Sequence, residues 1–135
     1  IYFKKFLNEE NIVPFRTEWQ IFDPVLRIAG TIDFLSRNGN GFDLYDWKRS
    51  DKIDKYATVW NHGINGLESV PDTRYYHYCI QLNMYKYILE NNYNITINKM
   101  YLVVLHPAYN AYQKIEVPSM ENAINTIVGY CKTKL

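Results

Sequence analysis

The chain is short of cysteine, glycine and proline, has no long apolar run, and carries almost no net charge. Among its 135 residues are 2 cysteines, Cys79 and Cys131. They form no C-x-x-C pair and are too few for an iron–sulfur cluster or a cysteine-only zinc site. Two plain thiols fit a reducing, intracellular compartment. No stretch approaches the roughly 18 apolar residues that a membrane-spanning helix needs, so no membrane partner is expected. No internal repeat, low-complexity segment or interdomain linker interrupts the chain. A formal net charge of +1 is too small for nucleic-acid binding by blanket phosphate neutralisation. It leaves room for a basic groove whose charge is partly cancelled by metal-binding carboxylates. No signal peptide is present, and the first residue is Ile1 rather than methionine, which reads as a trimmed piece with upstream elements removed.

What is present is ordinary for a folded protein: 47% apolar and 21% charged residues, enough for one domain over residues 1–135. Asn, Ile, Lys and Tyr are abundant where Ala, Gly and Pro are scarce, a bias expected of an AT-rich genome, viral or protist. Residues 1–8 look like the end of a helix. Alternation over 13–22, "VPFRTEWQIF", predicts a strand, broken at Asp23-Pro24. A second strand is expected over 26–35 and a third over 41–48, joined by the Asn- and Gly-rich turn "SRNGNG" as an antiparallel hairpin. Residues 50–72 lack periodicity and read as an excursion with a short helix near 52–60. Asp72 is a candidate N-cap for a long helix over 74–91. The apolar run 98–106 predicts a strand covered on both faces, followed by a strand at 111–117 and a terminal helix after Pro118-Ser119. The expected architecture is an α/β sandwich around a mixed central sheet.

Four groups of residues could carry chemistry. Side chains alternate along a strand, so Asp46 and Lys48 at the end of "GFDLYDWK" face one way, on the row begun by Phe42 and Leu44. An apolar row that ends in an acid and an ammonium buries its start and brings its tip to a cleft. "GTID" sets Gly30 and Asp33 on the preceding strand, where hairpin pairing would bring Asp33 towards Asp46. Two carboxylates that close repel, and one takes a proton unless a cation neutralises both. Mg²⁺ or Mn²⁺ suits such oxygen ligands. Glu18 is a third acid on the first strand, on the face of Arg16 and Gln20 and opposite Phe15, Thr17, Trp19 and Ile21. There, a solvent-facing polar row and a metal-site role weigh about equally. Last, "QLNMY" puts Gln81 and Tyr85 at i and i+4 on the long helix, with Tyr78 on the same stripe. An amide and a phenol so placed can hold a phosphate, a base edge or a catalytic side chain.

In this order and on these elements, Glu18, "GTID", "DWK" and "QLNMY" resemble the PD-(D/E)XK nuclease superfamily, and most of all its RecB-like branch with the mitochondrial genome maintenance exonucleases. The resemblance spans roughly residues 12–106. It implies a restriction-endonuclease-like core of αβββαβ order, here with an extra strand and a C-terminal helix. It implies Mg²⁺ or Mn²⁺ held by Asp33, Asp46 and the Trp47 backbone carbonyl, with Glu18 ligating directly or through water. Lys48 would orient the attacking water and stabilise charge on the phosphate. Gln81 and Tyr85 would brace the site or position the substrate, and Arg49 and Ser50 would touch its backbone. Many members of this branch carry a histidine ligand upstream of the first strand. Here His62, His77 and His106 all lie downstream.

The function expected from this resemblance is divalent-metal-dependent hydrolysis of DNA phosphodiester bonds, with single strands or ends favoured. The alternatives are an RNA endonuclease and a non-catalytic nucleic-acid-binding module that keeps the nuclease fold. Of the 13 tyrosines, most read as packing residues. Tyr56 and Trp60, near Lys52 and Lys55, are the better candidates for stacking on bases.

Overall fold

The computed structural model describes residues 14–49, 74–106 and 111–134, together with Glu9 and Ile12. The expected short helix at 52–60, the Asp72 cap, Ser50, Tyr56, Trp60, Lys52, Lys55 and His62 lie outside the described residues, as does the helix end at 1–8. For Arg49 only the backbone is described.

Among the described residues the full-length elements follow in the order expected: β1 (Pro14–Asp23), β2 (Ile28–Asn38), β3 (Gly41–Arg49), α1 (Arg74–Asn92), β4 (Ile97–His106), β5 (Ala111–Glu116) and α2 (Glu121–Thr133). The strands form one mixed sheet in chain order. β1–β2, β2–β3 and β4–β5 are antiparallel, while β3 and β4 run parallel. The parallel pair needs a crossover, which explains why a long segment containing α1 separates β3 from β4.

The β2–β3 hairpin is tighter than the sequence suggests. Pairing continues to Asn38–Gly41, leaving a two-residue loop of Gly39 and Asn40 with Gly39 at φ +61°. Positive φ at the first loop residue is the type II′ pattern that suits glycine. Asn98 closes the turn by donating from Nδ2 to the Asn38 carbonyl at 2.9 Å. The β1–β2 connection is an Asx turn. Asp23 Oδ1 accepts the amides of Val25 and Leu26, both at 2.9 Å, and its Oδ2 accepts Asn92 Nδ2 at 3.0 Å. Those amides are thereby spoken for by a side chain, and Arg27 sits at φ +56°, so β2 starts at Ile28 rather than at 26.

α1 crosses one face of the sheet. Its Tyr75, Cys79, Leu82, Tyr85, Ile88 and Leu89 pack with Ile21, Ile32, Leu35, Leu44, Met100 and Leu102. Phe34, Tyr45 and Val103 form a cluster of their own, joined by Trp47, Tyr101 and Tyr112. α2 lies along the flank of α1, where Ile124 and Val128 meet Met84 and the turn residue Leu26. Asn83, buried in α1, ties these elements together. Its Nδ2 donates to the Cys79 and Pro118 carbonyls, and its Oδ1 accepts the Met120 amide just before α2.

Candidate functional site

The hairpin register brings the two central acids together. Leu35 pairs with Leu44 and Phe34 with Tyr45. One step further along the same hairpin stand Asp33 and Asp46. There the Trp47 amide donates to Asp33 Oδ2 at 2.9 Å. Asp33 is thus oriented by the backbone of the strand that carries Asp46, and the two carboxyls lie within hydrogen-bonding reach of each other.

Asp46 is only 5% exposed. Burial first, and the neighbouring Asp33 carboxyl second, push its carboxyl up to about 7 from an ordinary 3.8, against the opposing pull of Lys48. Lys48 Nζ lies 2.9 Å from Asp46 Oδ2. Yet that buried oxygen has no aligned hydrogen-bond donor, so the contact is an ion pair off the hydrogen-bonding direction. A buried carboxylate oxygen left without a donor, beside a second carboxyl, is a donor set that suits a hard divalent cation.

Among the described residues Lys48 is held from three sides. Besides Asp46, its Nζ donates to Gln81 Oε1 at 3.4 Å and lies 4.2 Å from the centre of the Tyr78 ring. Gln81 in turn donates from Nε2 to the Tyr85 hydroxyl at 3.0 Å. Tyr85 reaches over β2, where its hydroxyl also meets the Thr31 backbone. Burial, and then the Asp46 charge, push its phenol above the ordinary value, so it stays protonated. The i, i+4 spacing of Gln81 and Tyr85, with Tyr78 one turn earlier, places all three over the ends of β2 and β3.

The structure therefore joins Asp33, Asp46, Lys48, Gln81 and Tyr85, and the Trp47 backbone stands between the two acids. Thr17 pairs with Phe34 and Trp19 with Ile32, which leaves Glu18 across the β1–β2 ladder from Asp33. Among the described residues no three His, Cys, Asp or Glu side chains converge on a point that could hold a metal. Glu18 is exposed and sits at φ +50°. The contact is therefore between Asp33 and Asp46, and the exposed Glu18 side chain is not gathered with them into a group of three. β1 shifts register only between Pro14 and Arg16 and keeps one register from Arg16 to Asp23, while Glu18 itself adopts a left-handed backbone that departs from the regular strand. Arg16 accordingly lies over the Trp19 ring, 4.6 Å from its centre, a residue the alternation put on the opposite face.

Sequence reasoning noted Tyr78 on the Gln81 stripe but not its contact with Lys48. The signal available was its position one turn before Gln81 on a helix that must cross the strand ends. His77 is exposed on the same first turns of α1.

No family model matches the chain, and no curated protein does. Among solved structures it is similar to SSO0001, with 17% sequence identity and a TM-score of 0.52 over 98% of this chain and 55% of that one. The chain thus spans about half the length of that protein, and the likeness concerns the fold. Together with the topology it defines a mixed α/β protein, whose described residues build a five-stranded sheet flanked by two helices. No helix among the described residues is long and apolar enough to cross a membrane.

Proposed function

We propose that this chain is a divalent-metal-dependent nuclease that hydrolyses DNA phosphodiester bonds, acting on single strands or ends. The observation that carries the reading is the Asp33–Asp46 carboxyl pair with Lys48 at 2.9 Å from its buried oxygen. A pair of acids at the end of adjacent strands has no evident structural use, since burial and mutual repulsion both work against ionising it. A cation between them would remove both penalties. The order of motifs shared with PD-(D/E)XK nucleases supports the same reading and the restriction-endonuclease-like core that goes with it.

In this reading Asp33, Asp46 and the Trp47 carbonyl would hold Mg²⁺ or Mn²⁺, with Glu18 left for a contact through water. A bound ion would supply a Lewis acid and lower the pKa of coordinated water. The chain's own residues do the rest. Trp47 N fixes the Asp33 carboxyl, Lys48 faces the phosphate as charge builds on it, and Gln81 with Tyr85 keeps Lys48 from swinging into solvent. Arg49 and Ser50, next along the chain, are assigned to substrate backbone contacts.

The test is digestion of end-labelled single- and double-stranded DNA, and of RNA in parallel, with Mg²⁺, Mn²⁺ or EDTA. Cleavage of DNA that needs the metal and is lost in both Asp46→Ala and Lys48→Ala supports the reading. Preferential cleavage of RNA would move the substrate class. Binding of DNA without cleavage in any metal would reduce the chain to a binding module.

A further inference from the structure

We infer that Tyr78 is a positioning residue for Lys48: its ring face holds the ammonium at the site when Asp46 turns its oxygen to a cation. This rests on the proposed nuclease reading for its purpose but on the metal-free geometry for its substance.

Among the described residues three groups meet Lys48 Nζ, and they are not equivalent. Asp46 Oδ2 at 2.9 Å is the only anion of the three. Gln81 Oε1 at 3.4 Å is a long, neutral acceptor. The Tyr78 ring, its centre 4.2 Å from Nζ, is neutral as well but presents a whole π face. If Asp46 gives up its negative charge to a divalent ion, the ion pair that now fixes Lys48 weakens, and the incoming positive charge repels the ammonium. A flexible four-carbon side chain would then leave for water. Gln81 and Tyr78 do not depend on Asp46, because both stand on α1. An aromatic face attracts a cation within about 6 Å whatever the state of the carboxylate. The ring also covers one side of the ammonium without offering it a hydrogen-bond acceptor, so donors remain free for a phosphate oxygen. Tyr78 is half-buried, packed at the rim of the core, and held there independently of Lys48.

Two readouts separate this role from simple packing. Protons of the Lys48 ε-methylene next to a ring face shift upfield in NMR. The resonance is found in metal-free protein labelled on lysine and assigned by its absence in Lys48→Arg. The upfield shift should be present in the parent, persist in Tyr78→Phe, which keeps the ring, and vanish in Tyr78→Leu. On a labelled single-stranded oligonucleotide with Mg²⁺, Tyr78→Phe should keep kcat within about twofold. Tyr78→Leu should lose roughly three- to thirtyfold in kcat with KM unchanged. Thermal melts of both variants show whether the fold is intact. If Tyr78→Leu melts early, Tyr78→Met, an unbranched apolar side chain without a ring, takes its place. The inference is overturned if the parent shows no upfield shift, if the ring-less variant cuts as fast as the parent, or if Tyr78→Phe is as defective as Tyr78→Leu. A parent that shows the shift yet cuts no nucleic acid in any metal sinks the nuclease reading and leaves the contact standing.

Discussion

Gly30 and Tyr85 share one space: a Cβ placed on Gly30 would come 2.8 Å from Tyr85 Cζ and 2.9 Å from its hydroxyl oxygen. The glycine of "GTID" is therefore what lets a helix side chain lie on β2 beside Asp33 and Asp46. Gly30→Ala should push the ring aside, break the Tyr85–Gln81 hydrogen bond and loosen Lys48. Urea titration should show a cost of about 1–3 kcal/mol, the usual range for overpacking a core. Cleavage should fall more than stability accounts for. Combining Gly30→Ala with Tyr85→Ala should restore part of the stability but not the activity, because the space is freed while the brace is gone.

The pH dependence of stability follows from the raised Asp46 carboxyl. Between the unfolded value near 3.8 and the folded value near 7, the native state holds a proton that the unfolded state has lost. Stability of the metal-free protein should then fall as pH rises from about 4 to about 7, the opposite of the usual trend for paired carboxylates. Thermal melts in EDTA across that window check the slope. Asp46→Asn should flatten it, and Mg²⁺ or Mn²⁺ added above pH 7 should raise the melting temperature of the parent but not of Asp46→Asn.

Removing the charged groups of the site separates chemistry from folding. Asp46→Asn and Lys48→Ala should each lower kcat by at least about a hundredfold, the scale of losing a group that touches developing charge. Both should keep the circular dichroism of the parent, since neither side chain belongs to the apolar clusters. Parent-like cleavage by either variant would remove its residue from the proposed roles.

Much of this site was legible because its key relationship is local. Asp46 and Lys48 share a face by the period of two, and a short turn fixes the register that sets Asp33 opposite Asp46. The long helix was legible too, since Gln81 and Tyr85 at i and i+4 need no tertiary knowledge. The failures came where backbone geometry departs from the regular pattern. Nothing in "FRTEWQ" announces a left-handed Glu18, and the alternation does not foresee Arg16 over the Trp19 ring, although Trp19 and Ile21 pack on the core side as the pattern expects. The β1–β2 boundary moved because Asp23 takes two amides into an Asx turn, a choice made jointly with Asn92 from the far end of α1. The Tyr78–Lys48 contact spans 30 positions, and no local period reports it.

Asn83, whose hydrogen bonds all go to backbone outside the acid pair, gives a control. Its side chain is 3% exposed and spends both ends on backbone: Nδ2 on Cys79 O at 2.8 Å and Pro118 O at 3.0 Å, Oδ1 on Met120 N at 2.8 Å. That last bond serves the entry to α2, where Met120 itself offers no side-chain cap. Asn83→Leu fits the volume but leaves the Met120 amide and the Pro118 carbonyl unsatisfied in a partly buried place, which should cost about 1–3 kcal/mol in a urea titration.

Glu18 tests how far the metal site extends. Were it a direct ligand, Glu18→Gln would weaken metal dependence as severely as Asp46→Asn does. The structure leaves it exposed on β1, with a backbone turned at φ +50° and no place in a group of three ligands among the described residues. A contact through water loses one hydrogen bond on that substitution rather than a coordination bond, so cleavage at saturating Mg²⁺ should fall less than about tenfold. The metal concentration for half-maximal activity should rise modestly. Glu18→Gly removes the side chain while relieving the strain of a left-handed non-glycine residue, so it should lose similar activity yet melt no lower than the parent. If Glu18→Gln instead abolishes cleavage as Asp46→Asn is expected to, the acid must swing into the site on metal binding, and β1 rather than the β2–β3 hairpin alone shapes the cation's shell.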